Sequence, residues 1–160
     1  MEEAANDGTA AHSTIEKILK KLPYDLDKLS EKARNAVNLF LDWQKKTDFE
    51  VIKSESVVYS KAYQYAGTMD CLAKVNGKTC LLDWKTSKGI YPEMELQVVA
   101  YMRAAEEMSG ERIESATIVR FGKTDAAFEV REIPLKDFDR LFAVFLHTYE
   151  LWKFLHDNRN

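Results

Sequence analysis

A predicted β-hairpin places two aspartates where they could bind a cation. Asn76-Gly77 is a strong signal for a two-residue hairpin turn between segments of alternating hydrophobicity. If Val75 pairs with Lys78 across this turn, the same register puts Asp70 directly opposite Asp83, with Cβ atoms about 4.5–5.5 Å apart. Two like charges this close destabilise a sheet unless something neutralises them. Because hard divalent cations prefer carboxylate oxygens, the pair predicts a metal site.

The same face of the hairpin would carry a lysine and a hydroxyl group. Lys85 lies two residues beyond Asp83 and projects from the same face, with Thr68 across from it. A bound metal activates water and stabilises charge on a phosphate, and a lysine can orient or deprotonate that water or balance the phosphate charge. The backbone carbonyl of Trp84 is a further candidate ligand. This set favours metal-assisted phosphodiester hydrolysis, whereas a solvent-facing strand pair with polar side chains is the alternative.

Residues outside the hairpin add candidate ligands. His12 lies near the start of the first predicted helix, with Glu16 one turn later on the same face. His12 could complete a metal site and Glu16 could orient its imidazole, although a lone helical histidine is more often structural or exposed. Glu55, on the strand before the hairpin, could also face the site.

The loop after the hairpin has residue types that contact nucleic acid. Hydroxyl and ammonium groups bind phosphates, and a tyrosine ring stacks on a base. The candidates are Thr86, Ser87, Lys88 and Tyr91. A polar surface loop is an equally consistent interpretation of the first three.

The opposite face of the hairpin is predicted to belong to the core. Its residues are Met69, Cys71, Ala73, Cys80, Leu82 and Trp84. The two cysteines would be diagonal neighbours about 7–8 Å apart, too far for an unstrained disulfide. We therefore expect buried free thiols, which are typical of a reducing compartment.

The elements that position these residues follow the order ααβββαββα. This order indicates an α/β fold, with a central mixed β-sheet flanked by helices. The predicted segments are helices over 9–22, 29–46, 93–109 and 135–156, and strands over 49–59, 65–75, 78–84, 115–121 and 127–133. We expect a single domain over residues 1–160, with a flexible lead-in over 1–7 and Thr9 as the first N-cap.

Composition limits the class of protein. The 160 residues include 26 acidic and 23 basic side chains, a net charge of −3, and 46% are hydrophobic, as in a globular domain. The chain has no apolar run of about 18 residues and no signal-peptide pattern at its start, so no membrane association is expected. The acidity argues against bulk nucleic-acid binding, but Lys53 to Lys88 holds six lysines against three acids.

Four short motifs occur together in a recognisable order. They are Gly8-Thr9-Ala10-Ala11-His12, Gly67-Thr68-Met69-Asp70, Asp83-Trp84-Lys85 and Gln97-Val98-Val99-Ala100-Tyr101. This ordered set resembles the PD-(D/E)XK nuclease superfamily, in particular its RecB-like and phage-type exonuclease branch. Each motif alone is weak, since D-x-K occurs by chance in many proteins. The resemblance covers His12 to about Tyr101 and implies a restriction-endonuclease-like core.

The resemblance implies roles for individual residues. His12, Asp70 and Asp83 would ligate one or two Mg²⁺ or Mn²⁺ ions, and Lys85 would be catalytic. Catalytic roles are likewise implied for Asp70 and Asp83, and for Gln97 and Tyr101, which would hold the lysine or contact the DNA backbone. Some relatives carry an iron–sulfur cluster on four cysteines, and with two cysteines this chain is expected to lack it.

The sequence therefore predicts a metal-dependent deoxyribonuclease, namely an exonuclease in DNA recombination, repair or viral DNA processing. DNA and a divalent metal are the expected partners, a homo-oligomer is possible, and the expected location is the cytoplasm (the host cytoplasm for a viral protein). Two alternatives remain open: a DNA-binding or assembly module with a degenerate nuclease fold, and a structure-specific endonuclease.

Overall fold

The computed structural model describes residues 2–124 and 128–157, with side chains from residue 6. The described elements follow the predicted order. They are α1 (Glu2–Leu19), α2 (Glu31–Lys46), β1 (Phe49–Ser60), β2 (Tyr65–Val75), β3 (Lys78–Lys85), α3 (Pro92–Ser109), β4 (Ser115–Phe121), β5 (Phe128–Ile133) and α4 (Phe138–Asp157), with short 3₁₀ turns at Leu26–Lys28 and Leu135–Asp137. None of the described helices is both long and apolar enough to cross a lipid bilayer.

The five strands form one mixed sheet in the order β1-β2-β3-β4-β5. All neighbouring strands are antiparallel except β3 and β4, which are parallel. A parallel pair needs a long crossover, and α3 supplies it. As a result, α3 begins just after the carboxyl end of β3, the end that carries Asp83 and Lys85.

Helices cover both faces of the sheet, so the protein has two cores. Helices α1 and α2 cover one face, where Phe40, Trp43, Trp84 and Phe121 form a cluster of edge-to-face and tilted rings. Helix α3 and the start of α4 cover the other face, which includes Val98, Met102, Leu81 and Ile118. The fold is therefore the predicted α/β sheet flanked by helices.

The hairpin between β2 and β3 confirms the predicted register. Asn76 and Gly77 both have positive φ, 49° and 79°, as a type I′ turn requires. Pairing runs from Val75–Lys78 to Cys71–Leu82 and ends there. Asp70 and Asp83 come directly after the last pair, at the point where β2 and β3 separate.

The separation of these strands makes one core prediction wrong. Met69 was expected on the same face as Cys71, but it packs in the other core with Leu81. Beyond Cys71 strand β2 is held by β1 alone, and on β1 Glu55 has a left-handed backbone, with φ of 45°. The alternation of side chains therefore shifts at this position. Cys71 and Cys80 are free and buried, as predicted.

The chain start also differs from the prediction. Helix α1 begins at Glu2 rather than after a cap at Thr9, so the predicted start of the first helix is wrong, while the flexibility expected of residues 1–7 stays a prediction. Glutamate and alanine are good helix formers, and acidic residues are favourable at a helix N-terminus. Asp7 is buried and accepts a hydrogen bond from Ser30 Oγ at 2.6 Å, which ties α1 to the start of α2.

Candidate active site

Lys85 lies between an aspartate of its own strand and a glutamine of α3. Its Nζ is 2.6 Å from Asp83 Oδ2 and donates a hydrogen bond to Gln97 Oε1 at 2.8 Å. The Asp83 side chain is 2% exposed and that of Lys85 is 18% exposed. The ammonium group is therefore held from two sides, while a part of the Lys85 side chain remains accessible from solvent.

A second hydrogen bond fixes Gln97 in turn. Its Nε2 donates to the hydroxyl oxygen of Tyr101, one helical turn later, at 2.9 Å. The Tyr101 ring lies against β2 at Gly67, where an added Cβ would be 2.4 Å from ring atom Cε1. Only a glycine leaves room for the ring at this distance. Gly67, Tyr101, Gln97 and Lys85 thus form a continuous chain of contacts from β2 to β3.

Asp70 reaches across to β3 where the strand pairing has ended. Its Oδ2 accepts a hydrogen bond from the backbone N–H of Trp84 at 2.7 Å, so the side chain replaces the missing strand contact. The same oxygen lies 4.0 Å from His12 Nδ1 of helix α1. Three of the predicted ligands, His12, Asp70 and Asp83, therefore converge where α1 meets the open end of the hairpin.

Glu55 joins this group. His12, Glu55 and Asp70 each offer a ligand atom, and these atoms lie within 4.8 Å of one another. Glu55 lies on β1 between the residues that pair with Cys71 and Met69, and is therefore adjacent to Asp70. The sequence offered only its strand position as a signal, since the left-handed backbone that directs it is not visible in the pattern.

Burial shifts the pKa values of these groups so that the neutral form of each is favoured. It raises the pKa of Asp70 and of Asp83, because a buried carboxylate loses hydration, and for Asp83 the neighbouring Asp70 adds to the effect. Burial also raises the pKa of Glu55. Burial lowers the pKa of His12, and the ammonium of Lys85 lowers it further. The imidazole is therefore neutral at neutral pH and has a free lone pair for a metal.

These residues fit a divalent cation. Asp83 Oδ2 is buried and lies 2.6 Å from the Lys85 ammonium. A cation would neutralise the buried carboxylates of Asp70 and Asp83, and the oxygen-rich set with one imidazole suits Mg²⁺ or Mn²⁺. The ligand role of the Trp84 carbonyl stays a prediction.

A basic cleft opens beside this site. It has a volume of about 470 Å³ and lies between α1, α2 and the loop after β3. It includes the predicted Thr86, Ser87 and Lys88, together with side chains that the sequence analysis missed: Lys32, Arg120 and Lys123. These residues come from distant segments, and only the folded chain shows that they share a cleft.

The cleft is connected to the candidate metal ligands. A smaller cavity that includes His12, Lys85, Thr86 and Lys123 lies between them. In α1, an added Cβ at Gly8 would lie 3.0 Å from Thr86 Oγ1, so the glycine of the first motif allows the helix to approach this loop closely.

Two of the predicted DNA-contact residues lie elsewhere. Thr68 was expected opposite Lys85, but it pairs with Val57 of β1, because the pairing with β3 ends at Cys71–Leu82. Thr68 is exposed, and its contact with DNA stays a prediction. Tyr91 is 43% exposed at the start of α3, and its predicted stacking role is likewise untested.

Comparison with known proteins identifies a family. A family model described as the PD-(D/E)XK nuclease superfamily matches residues 1–158. "Mitochondrial genome maintenance exonuclease 1" of Mus musculus is 46% identical over an alignment of 56 positions, and the match covers 31% of this chain and 17% of the mouse protein. The Homo sapiens protein of the same name is 45% identical over an alignment of 56 positions, and the match covers 31% of this chain and 16% of the human protein. These matches span less than a fifth of either relative.

Structural comparison supports the fold independently. A protein from Eubacterium rectale, described provisionally as an exonuclease, superposes with a TM-score of 0.61 at 7% sequence identity. The superposition covers 90% of this chain and 65% of the other. At this identity the likeness shows the fold alone. Because the family model covers nearly the whole sequence, the chain belongs to the PD-(D/E)XK nuclease superfamily.

Proposed function

We propose that this chain is a Mg²⁺- or Mn²⁺-dependent deoxyribonuclease that hydrolyses phosphodiester bonds as an exonuclease. Its role would be in DNA recombination, repair or viral DNA processing. The observation that carries the proposal is the position of Lys85, held by Asp83 and Gln97 next to a set of donors suited to a metal. The names of the curated relatives, which describe exonucleases, support the same class.

His12, Glu55, Asp70 and Asp83 would hold the metal. The first three offer ligand atoms within 4.8 Å of one another, and the buried Asp83 carboxylate lies beside them, with its Oδ2 2.6 Å from the Lys85 ammonium. When bound, the cation would supply a more acidic water and stabilise negative charge on the phosphate.

The protein groups would complete the chemistry. The Lys85 ammonium lies beside the metal-binding carboxylates and can donate a hydrogen bond to a phosphate oxygen or orient the attacking water. Gln97 and Tyr101 would act as positioning residues, because they contact Lys85 directly or through one intervening group. Thr86, Ser87, Lys88 and the basic residues near them would bind backbone phosphates of the flanking strand.

The location is proposed from the cysteines. Burial raises the pKa of the Cys71 thiol to about 12 and also raises that of Cys80, so both thiols remain protonated and unreactive. Two free buried thiols are consistent with a reducing compartment, and we infer action in the cytoplasm.

Cleavage of end-labelled linear DNA tests the proposal. The wild-type protein should release labelled mononucleotides or short products with Mg²⁺ or Mn²⁺ and none with EDTA. Asp83→Ala and Lys85→Ala should abolish the cleavage while circular dichroism shows a folded protein. Unchanged activity in either variant would contradict the mechanism.

Covalently closed circular and branched substrates separate the exonuclease from its rivals. An exonuclease needs an end and should leave closed circles intact, whereas a structure-specific endonuclease would cut branched DNA preferentially. If no substrate is cut but salt-dependent DNA binding is tight, the chain would be a binding module and the proposed activity would be wrong.

A further inference from the structure

An aromatic groove lies on the α3 side of Lys85, away from the basic cleft. It is formed by β2, α3 and α4 and has a volume of about 440 Å³. Five aromatic side chains contribute to its walls: Tyr65, Tyr101, Phe145, Tyr149 and Trp152. We call this cavity the aromatic groove.

Helix α4 presents three of these rings as a ladder. The Phe145 and Tyr149 rings are nearly parallel at 7°, with centroids 6.1 Å apart, and Tyr149 and Trp152 follow at 15° and 6.1 Å. The Tyr149 hydroxyl donates to the Gln64 carbonyl at 2.6 Å, which fixes α4 beside the β1–β2 turn. The ladder is therefore held in place by the fold.

The outer end of the ladder is not needed for the cores. Trp152 is 52% exposed, whereas Trp43 and Trp84 are 5% and 1% exposed. Among the described residues of α4, the buried ones are Phe138 and Leu141, at its opposite end. The His156 ring lies against Trp152, with ring centroids 4.0 Å apart, and the remaining exposed part of the Trp152 ring is a contact surface for another planar group.

The groove is continuous with the candidate active site. Gln97 and Tyr101 line it, and the same Gln97 accepts the hydrogen bond from Lys85 Nζ at 2.8 Å. A strand with a phosphate at Lys85 would therefore have its next nucleotides at the mouth of the groove. Any other occupant would have to share this space with the substrate.

We propose that the aromatic groove binds unpaired nucleobases of the DNA strand that enters the active site, by stacking on Tyr149 and Trp152. This inference rests on the proposed nuclease function. Aromatic side chains stack on bases of any sequence, because every base has a π-face. A paired base inside a duplex has its faces covered by its neighbours, so the groove selects single-stranded or frayed ends.

The lining of the groove is mainly apolar, which suits the faces of nucleobases. Gln97 lies among the rings but already bonds Lys85 and Tyr101. The hydroxyl groups of Tyr65 and Tyr149 already donate to backbone carbonyls, so recognition would rest on base faces rather than on base edges. The basic cleft on the other side of Lys85 would hold the phosphates of the flanking strand.

Binding in EDTA tests the groove without any cleavage. Fluorescence anisotropy of a labelled oligothymidine and of a duplex of equal length would give the two affinities. Tyr149→Ala and Trp152→Ala should weaken single-strand binding by roughly fivefold to a hundredfold, with little change in duplex binding. Trp152→Phe should restore most of the affinity, because a ring remains. Phe154→Ala is the matched control, since Phe154 is 64% exposed on the same helix and does not line the groove.

Intrinsic fluorescence gives a second readout. Oligothymidine should quench the wild-type emission, and the quenching should be lost in Trp152→Phe, because the remaining tryptophans are buried. Equal weakening of single-strand and duplex binding, no weakening in the alanine variants, or loss of a dimer in Trp152→Ala during sedimentation would overturn the proposal.

The proposal for the aromatic groove and the proposed nuclease function can be contradicted separately. If the wild-type protein does not cleave DNA but its single-strand binding depends on Trp152, the proposed function is wrong and the groove stands. If cleavage occurs but binding is indifferent to Tyr149 and Trp152, the groove is wrong and the function stands.

Discussion

The Tyr101 ring packs against Gly67 at a distance that no side chain at position 67 permits. A Cβ there would lie 2.4 Å from Cε1 and 3.1 Å from Cζ of the ring. Tyr101 receives the hydrogen bond of Gln97, which accepts one from Lys85. The glycine of the second motif therefore acts on the predicted catalytic lysine through two intervening side chains.

Gly67→Ala should displace Tyr101 and loosen Lys85. We expect a loss of stability of about 1–3 kcal/mol from overpacking, and at least a tenfold loss in the rate of DNA cleavage. Urea unfolding and single-turnover cleavage would measure the two effects. Gly89→Ala is the matched control, because the nearest atom to its Cβ would be 3.9 Å away in Tyr91.

Tyr101→Phe separates the two roles of the tyrosine. The ring would remain against Gly67 while the hydrogen bond from Gln97 is lost, so activity should fall more than stability. If Gly67→Ala left the rate unchanged while lowering stability, the glycine would serve packing alone.

Glu55→Gln should weaken metal binding, because it removes one negative charge from the donors near His12 and Asp70. We expect about a tenfold or greater loss of Mn²⁺ affinity, measured by titration calorimetry on protein freed of metal with EDTA. Glu50→Gln is the matched control, since Glu50 is exposed on the same strand and lies outside the group of ligand atoms. Equal Mn²⁺ affinities in Glu55→Gln and wild type would show that Glu55 is not a ligand.

The two carboxylates make the metal-free protein sensitive to pH. Asp70 has a raised pKa because it is buried, so the folded state holds its proton at pH values where the unfolded chain, with a pKa near 4, has lost it. Stability from this group is therefore present in mild acid and is lost as the pH rises toward neutrality.

Asp70→Asn tests this direction of the dependence of stability on pH. The amide can still accept the hydrogen bond from the Trp84 N–H, but it carries no charge. In EDTA, the variant should be more stable than wild type at pH 8, by about 1 kcal/mol or more, and should lose this advantage near pH 5. Urea unfolding at the two pH values measures the difference. Addition of Mg²⁺ at pH 8 should stabilise the wild type and have less effect on the variant.

The hairpin that carries the two aspartates could be predicted from the sequence. The Asn76-Gly77 turn sets the hairpin register through its own backbone preference, so the pairing from Val75–Lys78 to Cys71–Leu82 follows without knowledge of the rest of the fold, and Asp70 and Asp83 are the next residues beyond it. The order of helices and strands was also readable, because each long element has its own hydrophobic period.

Other features depend on contacts between distant segments. The strand position of Glu55 made it a candidate, but Glu55 reaches the site because β2 leaves β3 at Asp70 and because its own backbone is left-handed, neither of which a strand pattern shows. Lys123 and Lys32 join Lys88 only when α2 and the segment after β4 pack together. The exposure of the ring ladder of α4 likewise depends on how α4 lies against α3.

Lys88→Ala should weaken DNA binding without changing the chemistry at Lys85. Lys88 is exposed at the basic cleft, so its ammonium group can bind a backbone phosphate and displace a counterion. The affinity should fall for all DNA sequences alike, and the slope of log affinity against log salt should shrink by about one unit. Lys78→Ala is the matched control, because Lys78 is exposed at the opposite end of β3, beside the hairpin turn. A salt slope that is identical in Lys88→Ala and wild type would place the DNA path outside the basic cleft.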